Sequence, residues 1–271
     1  MGKTRLCLDL IQNVETSIED QIPMIKDCGF DEFFTCFWTE ERMKNLARLA
    51  KEHGLGFQSV HAPFSDVVDL WRESEKAEPF VELLLRSVES TATIDVPILV
   101  MHVFKGYVYP DKPNGLGVER FYKVVKRAEK LGVHIAFENL EGEEFLACLM
   151  ENFKSEKNVG FCWDSGHELC YNGGKDMLAK YGDKLLCTHL NDNFGVSDPH
   201  GRIGKHDDLH LFPFDGKTDW EDAVKRLKKT AFNGSLTFEL KKPPYPDLPI
   251  EAFLKTAYER AEKIKSLYER A

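Results

Sequence analysis

Short apolar runs alternate with amphipathic segments eight times along the chain, and this rhythm constrains the fold more than any other feature. The apolar runs cover residues 5–10, 30–37, 55–62, 97–103, 133–139, 159–164, 184–190 and 235–240. The segments between them repeat apolar residues at the helical period of about 3.6 residues. Strands that alternate with helices predict parallel βαβ units. Eight units in 271 residues match a closed (β/α)8 barrel, with an open doubly wound α/β sheet as the alternative.

Local signals mark several element boundaries. Thr39 followed by two acidic residues predicts a helix start, and Gly54 predicts its end. Thr218 and Glu221 have the spacing of a capping box before the helix that follows the seventh strand. No break in composition marks a second domain, so we expect one domain over residues 1–271. Two long loops are predicted, at residues 105–117 and 193–219.

Charge and cysteine usage narrow the class of protein. The net charge is -9, whereas a protein that binds duplex DNA needs clustered Lys and Arg to displace counterions, so no nucleic-acid partner is expected. The seven cysteines are odd in number and form no CxxC pair, which favours free thiols in a reducing compartment. No apolar run is long enough to span a bilayer, and no secretory hydrophobic region begins the chain. We therefore expect a cytoplasmic protein with no membrane partner.

Metal-ligand residue types stand at the ends of six consecutive predicted strands. Strands three to eight end in His61, His102, Glu138, Asp164, His189 and Glu239, and His167, Asp208 and His210 follow nearby. Any one of these residues alone is more simply a packing or capping residue. In a barrel, however, the carboxyl ends of all strands converge on one face. Buried carboxylates and imidazoles need partners there, and a divalent metal (Zn, Mn, Mg, Co or Fe) would satisfy them jointly.

Seven stretches give the sequence a family resemblance. They are SVHAPF, VMHVF, AFENLEG, GFCWDSGHELC, THLNDNFG, DDLHLFPFDGKTDW and LTFEL. Taken together they resemble the xylose isomerase-like TIM-barrel superfamily, which contains sugar and sugar phosphate isomerases and epimerases as well as the endonuclease IV branch. The resemblance covers nearly the whole chain and implies a single-domain (β/α)8 TIM barrel.

The two branches imply different ligand sets. In the ketose epimerases four residues bind one divalent ion, and the matching positions here are Glu138, Asp164, His189 and Glu239. The position of His167 contacts substrate in those enzymes. In the endonuclease IV branch nine residues bind three zinc ions. All nine positions carry a matching residue type here, which adds as further candidate ligands His61, His102, His167, Asp208 and His210.

Other features separate the branches. The segment FDGKTDW resembles the PGxGxxDW segment of the sugar enzymes, and residues 139–142 lack the turn that usually follows the nuclease glutamate. The net charge also disfavours the nuclease. We therefore favour a divalent-metal-dependent sugar or sugar phosphate isomerase or epimerase, with a small-molecule carbohydrate as substrate. The alternatives are an endonuclease IV-like trinuclear zinc phosphodiesterase, or a metal-dependent lyase or dehydratase acting on keto-sugars or cyclitols.

The favoured reaction assigns roles to particular residues. Proton transfer next to a carbonyl, through a metal-stabilised enediolate, needs a base on one face of the substrate and an acid on the other. Glu138 and Glu239, from strands five and eight, are the predicted catalytic pair. Substrate contacts are predicted for His167, Phe64, Trp38 and, if the substrate carries phosphate, Arg202 or Lys205. A core role is expected for Trp163. Whether the protein is a homo-oligomer is left open.

Overall fold

All eight predicted strands are present in the computed structural model, which describes residues 3–107 and 112–271. Their bounds differ from the predicted ones by at most two residues. The strands are β1 (Leu6–Asp9), β2 (Glu32–Cys36), β3 (Gly56–His61), β4 (Ile98–Met101), β5 (His134–Glu138), β6 (Val159–Asp164), β7 (Leu185–His189) and β8 (Leu236–Phe238). Each strand from β1 to β7 is parallel to the next, and β8 pairs with β1.

The barrel closes between β7 and β8, where pairing is short. Leu190 forms an isolated parallel bridge with Phe238. The Leu190 N–H donates to the Thr237 carbonyl at 2.7 Å, and the Glu239 N–H donates to the Leu190 carbonyl at 3.3 Å. The result is a nearly closed (β/α)8 barrel, as predicted, and the open doubly wound sheet is wrong.

Helices surround the strands and cover the outer face of the sheet. They are α1 (Ile18–Cys28), α2 (Glu40–His53), α3 (Ala77–Thr93), α4 (Gly115–Leu131), α5 (Glu143–Asn152), α6 (Ser165–Cys170), α7 (Met177–Tyr181), α8 (Trp220–Lys229) and α9 (Ile250–Arg270). Short 3-10 helices lie at Val67–Trp71 and Gly182–Lys184. The predicted loop at residues 105–117 includes residues 108–111, which lie outside the described residues.

The predicted start and end of α2 are confirmed, whereas the predicted capping box before α8 is wrong. Thr39 caps α2 by accepting the Arg42 N–H, and Gly54 ends the helix with φ at 62°. At α8 the N-cap is Asp219, which accepts the Asp222 N–H at 3.0 Å. The reason is tertiary, because the buried Asp192 already holds the Thr218 N–H at 3.0 Å. The chain therefore enters the helix one residue later than the pattern indicates.

Asp192, just after β7, ties down the long loop at residues 193–219. Its carboxylate accepts the N–H groups of Asn193, Phe214 and Thr218 and the indole N–H of Trp220, all between 2.9 and 3.0 Å. The Asp192 backbone also exchanges two hydrogen bonds with Leu211. This loop carries two of the predicted ligands, so the Asp192 contacts position part of the candidate site.

The core has an inner and an outer part. Inside the barrel, a small buried layer consists of Val100, Ala136, Cys162 and Cys187. Trp163, the next residue along β6, packs in the large cluster between sheet and helices, since neighbouring strand residues face opposite sides. Its indole N–H donates to Glu168 at 2.9 Å, and the predicted core role is confirmed.

The structure also bears on the predictions of free cysteines and of no membrane-spanning segment. All seven cysteines lie within the described residues and are free thiols. Across residues 3–107 and 112–271, no helix combines the length and apolar character that crossing a membrane requires.

Candidate metal centre

Glu138, the last residue of β5, is the central group of the site. Its buried carboxylate has one oxygen 3.2 Å from Nε2 of both His61 and His102, and the other 3.1 Å from Nδ1 of His189. His167 Nδ1 lies 3.5 Å from the second oxygen. Burial by itself raises the pKa of Glu138, but the surrounding imidazoles hold that pKa well below its usual range. The group is therefore an ionised carboxylate in a water-poor environment.

Four side chains from the ends of β5 to β8 form the first group of candidate ligands. Glu138, Asp164, His189 and Glu239 each present one ligand atom, and these atoms lie within 4.8 Å of one another. Nδ1 of His189 is 3.1 Å from both Glu138 and Glu239. Burial raises the pKa of Asp164 to about 6, since water no longer stabilises its charge. A divalent cation would offset this clustering of carboxylates.

The second group lies on the β3 and β4 side. His61, His102 and Glu138 bring ligand atoms within 4.8 Å. His61 Nδ1 donates to the Ala62 carbonyl at 2.8 Å, which leaves Nε2 as the ring nitrogen that faces Glu138 at 3.2 Å. Burial lowers the pKa of His102 to about 4, which keeps this imidazole neutral near pH 7. The ring of Phe64 stacks on His102 with centroids 4.4 Å apart.

The third group lies on the β6 and β7 side. Asp164, His167 and His210 bring ligand atoms within 4.8 Å. Asp208 joins them, with one oxygen 2.8 Å from His210 Nε2 and 3.3 Å from His167 Nε2. Asp164 also caps α6 by accepting the His167 N–H at 2.6 Å. The turn DSGH therefore ends a strand, begins a helix and aims two candidate ligands at one point.

All nine predicted ligands thus lie at one face of the barrel, in three groups that share Glu138 and Asp164. Mixed imidazole and carboxylate sets suit Zn, Mn, Co and Fe. Within the described residues, the buried atoms Nδ1 of His102 and Oδ1 of Asp208 have no hydrogen-bond partner that meets normal geometry. Such unsatisfied buried atoms are costly, and the residues fit a divalent metal.

A cavity of about 510 Å3 opens above the groups. Among the predicted substrate contacts, His167 and Phe64 line it. Trp38 does not, because its indole N–H donates to Thr35 and its ring lies under Arg42 at 4.6 Å. Arg202 also lies outside the lining: its side chain is 79% exposed and pairs with Asp198 at 2.8 Å. Lys205 of the same loop does line the cavity.

Several residues that line the cavity lie outside the predicted site. Asp9 ends β1 and lines the cavity, and burial together with nearby Glu239 raises its pKa to about 7. Glu141 is buried in the wall with one oxygen accepting the Gly106 N–H at 2.8 Å and the other unpartnered among the described residues. Tyr171 stacks on His167 at 5.2 Å. The strand-end rule identifies Asp9 when it is applied to the first strand, and Tyr171 follows from its helical i, i+4 spacing to His167.

The barrel and the histidine–carboxylate face define the class: a (β/α)8 protein with a candidate metal centre at the carboxyl ends of its strands. The chain belongs to the xylose isomerase-like TIM barrel family, whose model matches residues 23–265.

Relatives in the family include proteins of different activities. An uncharacterized protein of Sinorhizobium fredii is 28% identical over 263 residues, covering 83% of this chain and 81% of the relative. An inosose isomerase of Bacillus velezensis is 29% identical over 148 residues, 52% of this chain and 51% of that enzyme. A probable endonuclease 4 of Mycoplasma capricolum is 26% identical over 176 residues, 54% and 57% of the two chains. The last two alignments therefore span only about half of each protein.

Solved structures share the fold across nearly the whole chain. The IolI protein with a bound zinc atom superposes with a TM-score of 0.79 at 21% identity, covering 97% of this chain and 99% of that one. D-Psicose 3-epimerase of Clostridium cellulolyticum, solved with D-tagatose, gives a TM-score of 0.75 at 14% identity, with 97% and 99% coverage. At these identities the likeness establishes the fold.

Proposed function

We propose that the protein is a divalent-metal-dependent isomerase or epimerase of a sugar or sugar phosphate. One observation carries the proposal: the carboxylates of Glu138, at the end of β5, and Glu239, just after β8, approach the same nitrogen of His189, each at 3.1 Å. Two carboxylates placed about one point can serve as base and acid on the two faces of a substrate carbon. The epimerases and the inosose isomerase among the similar proteins support the same class.

The surroundings of the two carboxylates set their protonation states. Burial raises the pKa of Glu239, but His189 and His210 outweigh burial and hold the pKa well below its usual range. Glu138 behaves in the same way. Both groups are therefore ionised near neutral pH, the form that accepts the proton next to the substrate carbonyl. Isomerisation balances with one carboxylate, which takes the proton from one carbon and returns it to the next. Epimerisation additionally requires the second carboxyl in its protonated form, so that it can deliver a proton to the opposite face. Glu239 lines the cavity, so it is the more accessible of the two bases.

Other residues would hold the substrate in place. A divalent ion, when bound by Glu138, Asp164, His189 and Glu239, supplies Lewis-acid polarisation of the carbonyl. His167 is placed to donate a hydrogen bond to a substrate oxygen, and Phe64 offers an apolar wall to sugar C–H groups. Lys205 is suited to a phosphate group, if the substrate carries one. Free thiols fit a cytoplasmic location.

Deuterium exchange tests the proposal. Incubation of the metal-loaded protein with a panel of ketoses in D2O should place deuterium on the carbon next to the carbonyl. Glu138→Gln and Glu239→Gln keep the side-chain shape but remove the base, so exchange should fall by about 10²–10⁴-fold. Glu221→Gln, whose side chain is 75% exposed on α8, is the matched control and should leave exchange unchanged.

Two outcomes would redirect the assignment. Turnover without deuterium in the product indicates hydride transfer between carbons, which keeps the substrate class and changes the mechanism. Loss of water or of another leaving group indicates the lyase or dehydratase alternative. If no member of the panel exchanges or turns over, the proposal fails.

A trinuclear zinc phosphodiesterase is the second candidate, because all three ligand groups are complete. The position of Asp208 between His167 and His210 favours it, since a single-ion centre of Glu138, Asp164, His189 and Glu239 does not require this carboxylate, whose other oxygen pairs with Lys241 at 2.8 Å. Three tightly bound zinc ions per chain together with cleavage of duplex DNA at an abasic site would establish this activity. One ion per chain and no cleavage would exclude it.

A further inference from the structure

A second, chemically different group of donors lies inside the barrel. Cys162 of β6 and Cys187 of β7 are directly paired in register, and both side chains are buried. His189 lies two residues beyond Cys187, so its side chain leaves the strand on the same inner face. Ligand atoms of these three residues lie within 4.8 Å of one another. The group therefore lies one layer of side chains below the carboxylates of the candidate metal centre.

The two ring nitrogens of His189 face different chemistry. Nδ1 lies 3.1 Å from the carboxylates of Glu138 and Glu239, as described above. Nε2 is buried and has no hydrogen-bond partner of normal geometry within the described residues. Since Nδ1 is directed to the carboxylates, Nε2 is the nitrogen left to face the two thiols. A buried polar atom without a partner is destabilising, so this nitrogen is a candidate to bind a ligand.

Gln58 adds a fourth polar group. From β3, its amide reaches Cys187 Sγ, with Nε2 at 3.3 Å and Oε1 at 3.9 Å. Gln58 therefore contacts one of the two thiols, and the donor atoms of Cys162, Cys187 and His189 lie together beside it. In the simpler interpretation the buried thiols are small apolar groups with weak S–H donors, and these lie near His189 without giving Nε2 a hydrogen bond of normal geometry.

We propose that Cys162, Cys187 and Nε2 of His189 bind a thiophilic ion of the zinc class, separate from the carboxylate–histidine centre. Thiolate and imidazole donors select such ions over Mg, Mn or Ca. Two thiolates neutralise a divalent charge, so the bound cluster is uncharged in an otherwise apolar layer. Binding releases the two thiol protons, and with the ion on Nε2 the ring proton stays on Nδ1, which donates to the carboxylates. Occupancy of both centres at once would require His189 to lose that proton and bridge them as an imidazolate.

Neither thiol lines the cavity described above, so the ion enters while the barrel closes. Cobalt is the probe, since thiolate–Co(II) charge transfer absorbs in the near ultraviolet and carboxylate or imidazole ligation does not. The chelator-stripped protein is unfolded in denaturant with a non-chelating reductant and refolded with Co(II). The wild-type protein should show the charge-transfer band. Cys162→Ala or Cys187→Ala should lower the intensity of this band at least twofold, and each variant should bind one cobalt ion fewer per chain. Cys170→Ala, a buried thiol outside the group, is the matched control and should keep both.

Absence of the band in the refolded wild-type protein, or its persistence in the double alanine variant, would overturn the proposal. Should a variant fail to fold, the wild-type protein refolded with 113Cd decides the question. A resonance in the sulfur-ligated region of the 113Cd NMR spectrum supports the site, and resonances confined to the oxygen and nitrogen region refute it. Neither readout depends on catalytic activity.

Discussion

Asp192 offers the sharpest test of how the long loop is positioned. Its buried carboxylate accepts four hydrogen bonds, two at each oxygen. Asp192→Ala leaves four donors without their acceptor. Each unsatisfied buried donor costs about 1–3 kcal/mol, and relaxation of the loop toward water recovers part of this loss. We expect a net destabilisation of about 4 kcal/mol, or on the order of 10 °C in melting temperature.

Asp192→Asn should cost about half as much. The asparagine oxygen can serve the Asn193 and Thr218 N–H groups, whereas its amide nitrogen would face Phe214 and the Trp220 indole, which are donors themselves. Calorimetry of chelator-stripped protein measures the melting temperatures, and Trp220 fluorescence reports the local contact. The exposed Asp222, which pairs with Arg226 on α8, supplies the matched control Asp222→Asn with a change under about 1 kcal/mol. A loss below about 1 kcal/mol in Asp192→Ala would refute the reasoning.

Two further predictions concern the acids of the site. The pKa of Asp9 is raised from 3.8 to about 7 by burial, so the folded protein holds this proton more tightly than the unfolded chain, and stability falls as pH rises through that window. Asp9→Asn keeps the bond from the Leu240 N–H. In chelator-stripped protein the stability of this variant relative to wild type should grow by about 2.6 kcal/mol between about pH 5 and about pH 8. A pH-independent difference would contradict the raised pKa. Asp164→Asn should reduce by at least half the rise in melting temperature that zinc produces, whereas Asp222→Asn should retain it, as measured by thermal scans with and without metal.

Much of the architecture could be predicted because its physical causes are local and repeated. Each parallel strand is covered on both sides, so it appears as an unbroken apolar run. In a barrel the carboxyl ends of the strands converge. Residues that are distant in sequence but stand at strand ends, such as His102 after VM and Glu239 after LTF, are therefore expected to lie close together. For this reason the six candidate ligands at strand ends can be predicted from the residues themselves, whereas the family resemblance adds His167, Asp208 and His210, which lie beyond the strands.

Contacts made by irregular backbone could not be predicted in the same way. Trp38 follows β2 closely, yet the backbone there directs its ring toward Arg42 instead of the cavity. Arg202 and Lys205 are three residues apart, and the path of a loop without periodic structure decides that only Lys205 reaches the cavity lining. The start of α8 depends on Asp192, which is distant in sequence. In each case a tertiary contact outweighs the local pattern.

The short junction between β7 and β8 has a consequence for local unfolding. His189 ends β7 and Glu239 follows β8, so two candidate ligands stand on opposite sides of a junction joined by the backbone bonds of Leu190 with Thr237 and Glu239. Opening this junction separates the two ligands while the seven-strand ladder from β1 to β7 stays intact. Binding of an ion at the centre and opening of the junction are then thermodynamically coupled, because an ion held by both His189 and Glu239 binds only the closed form. Amide hydrogen exchange at Leu190 and Glu239 would consequently slow as the centre is occupied. These two amides therefore report the affinity of the centre for a bound ion or substrate, even before a substrate is known.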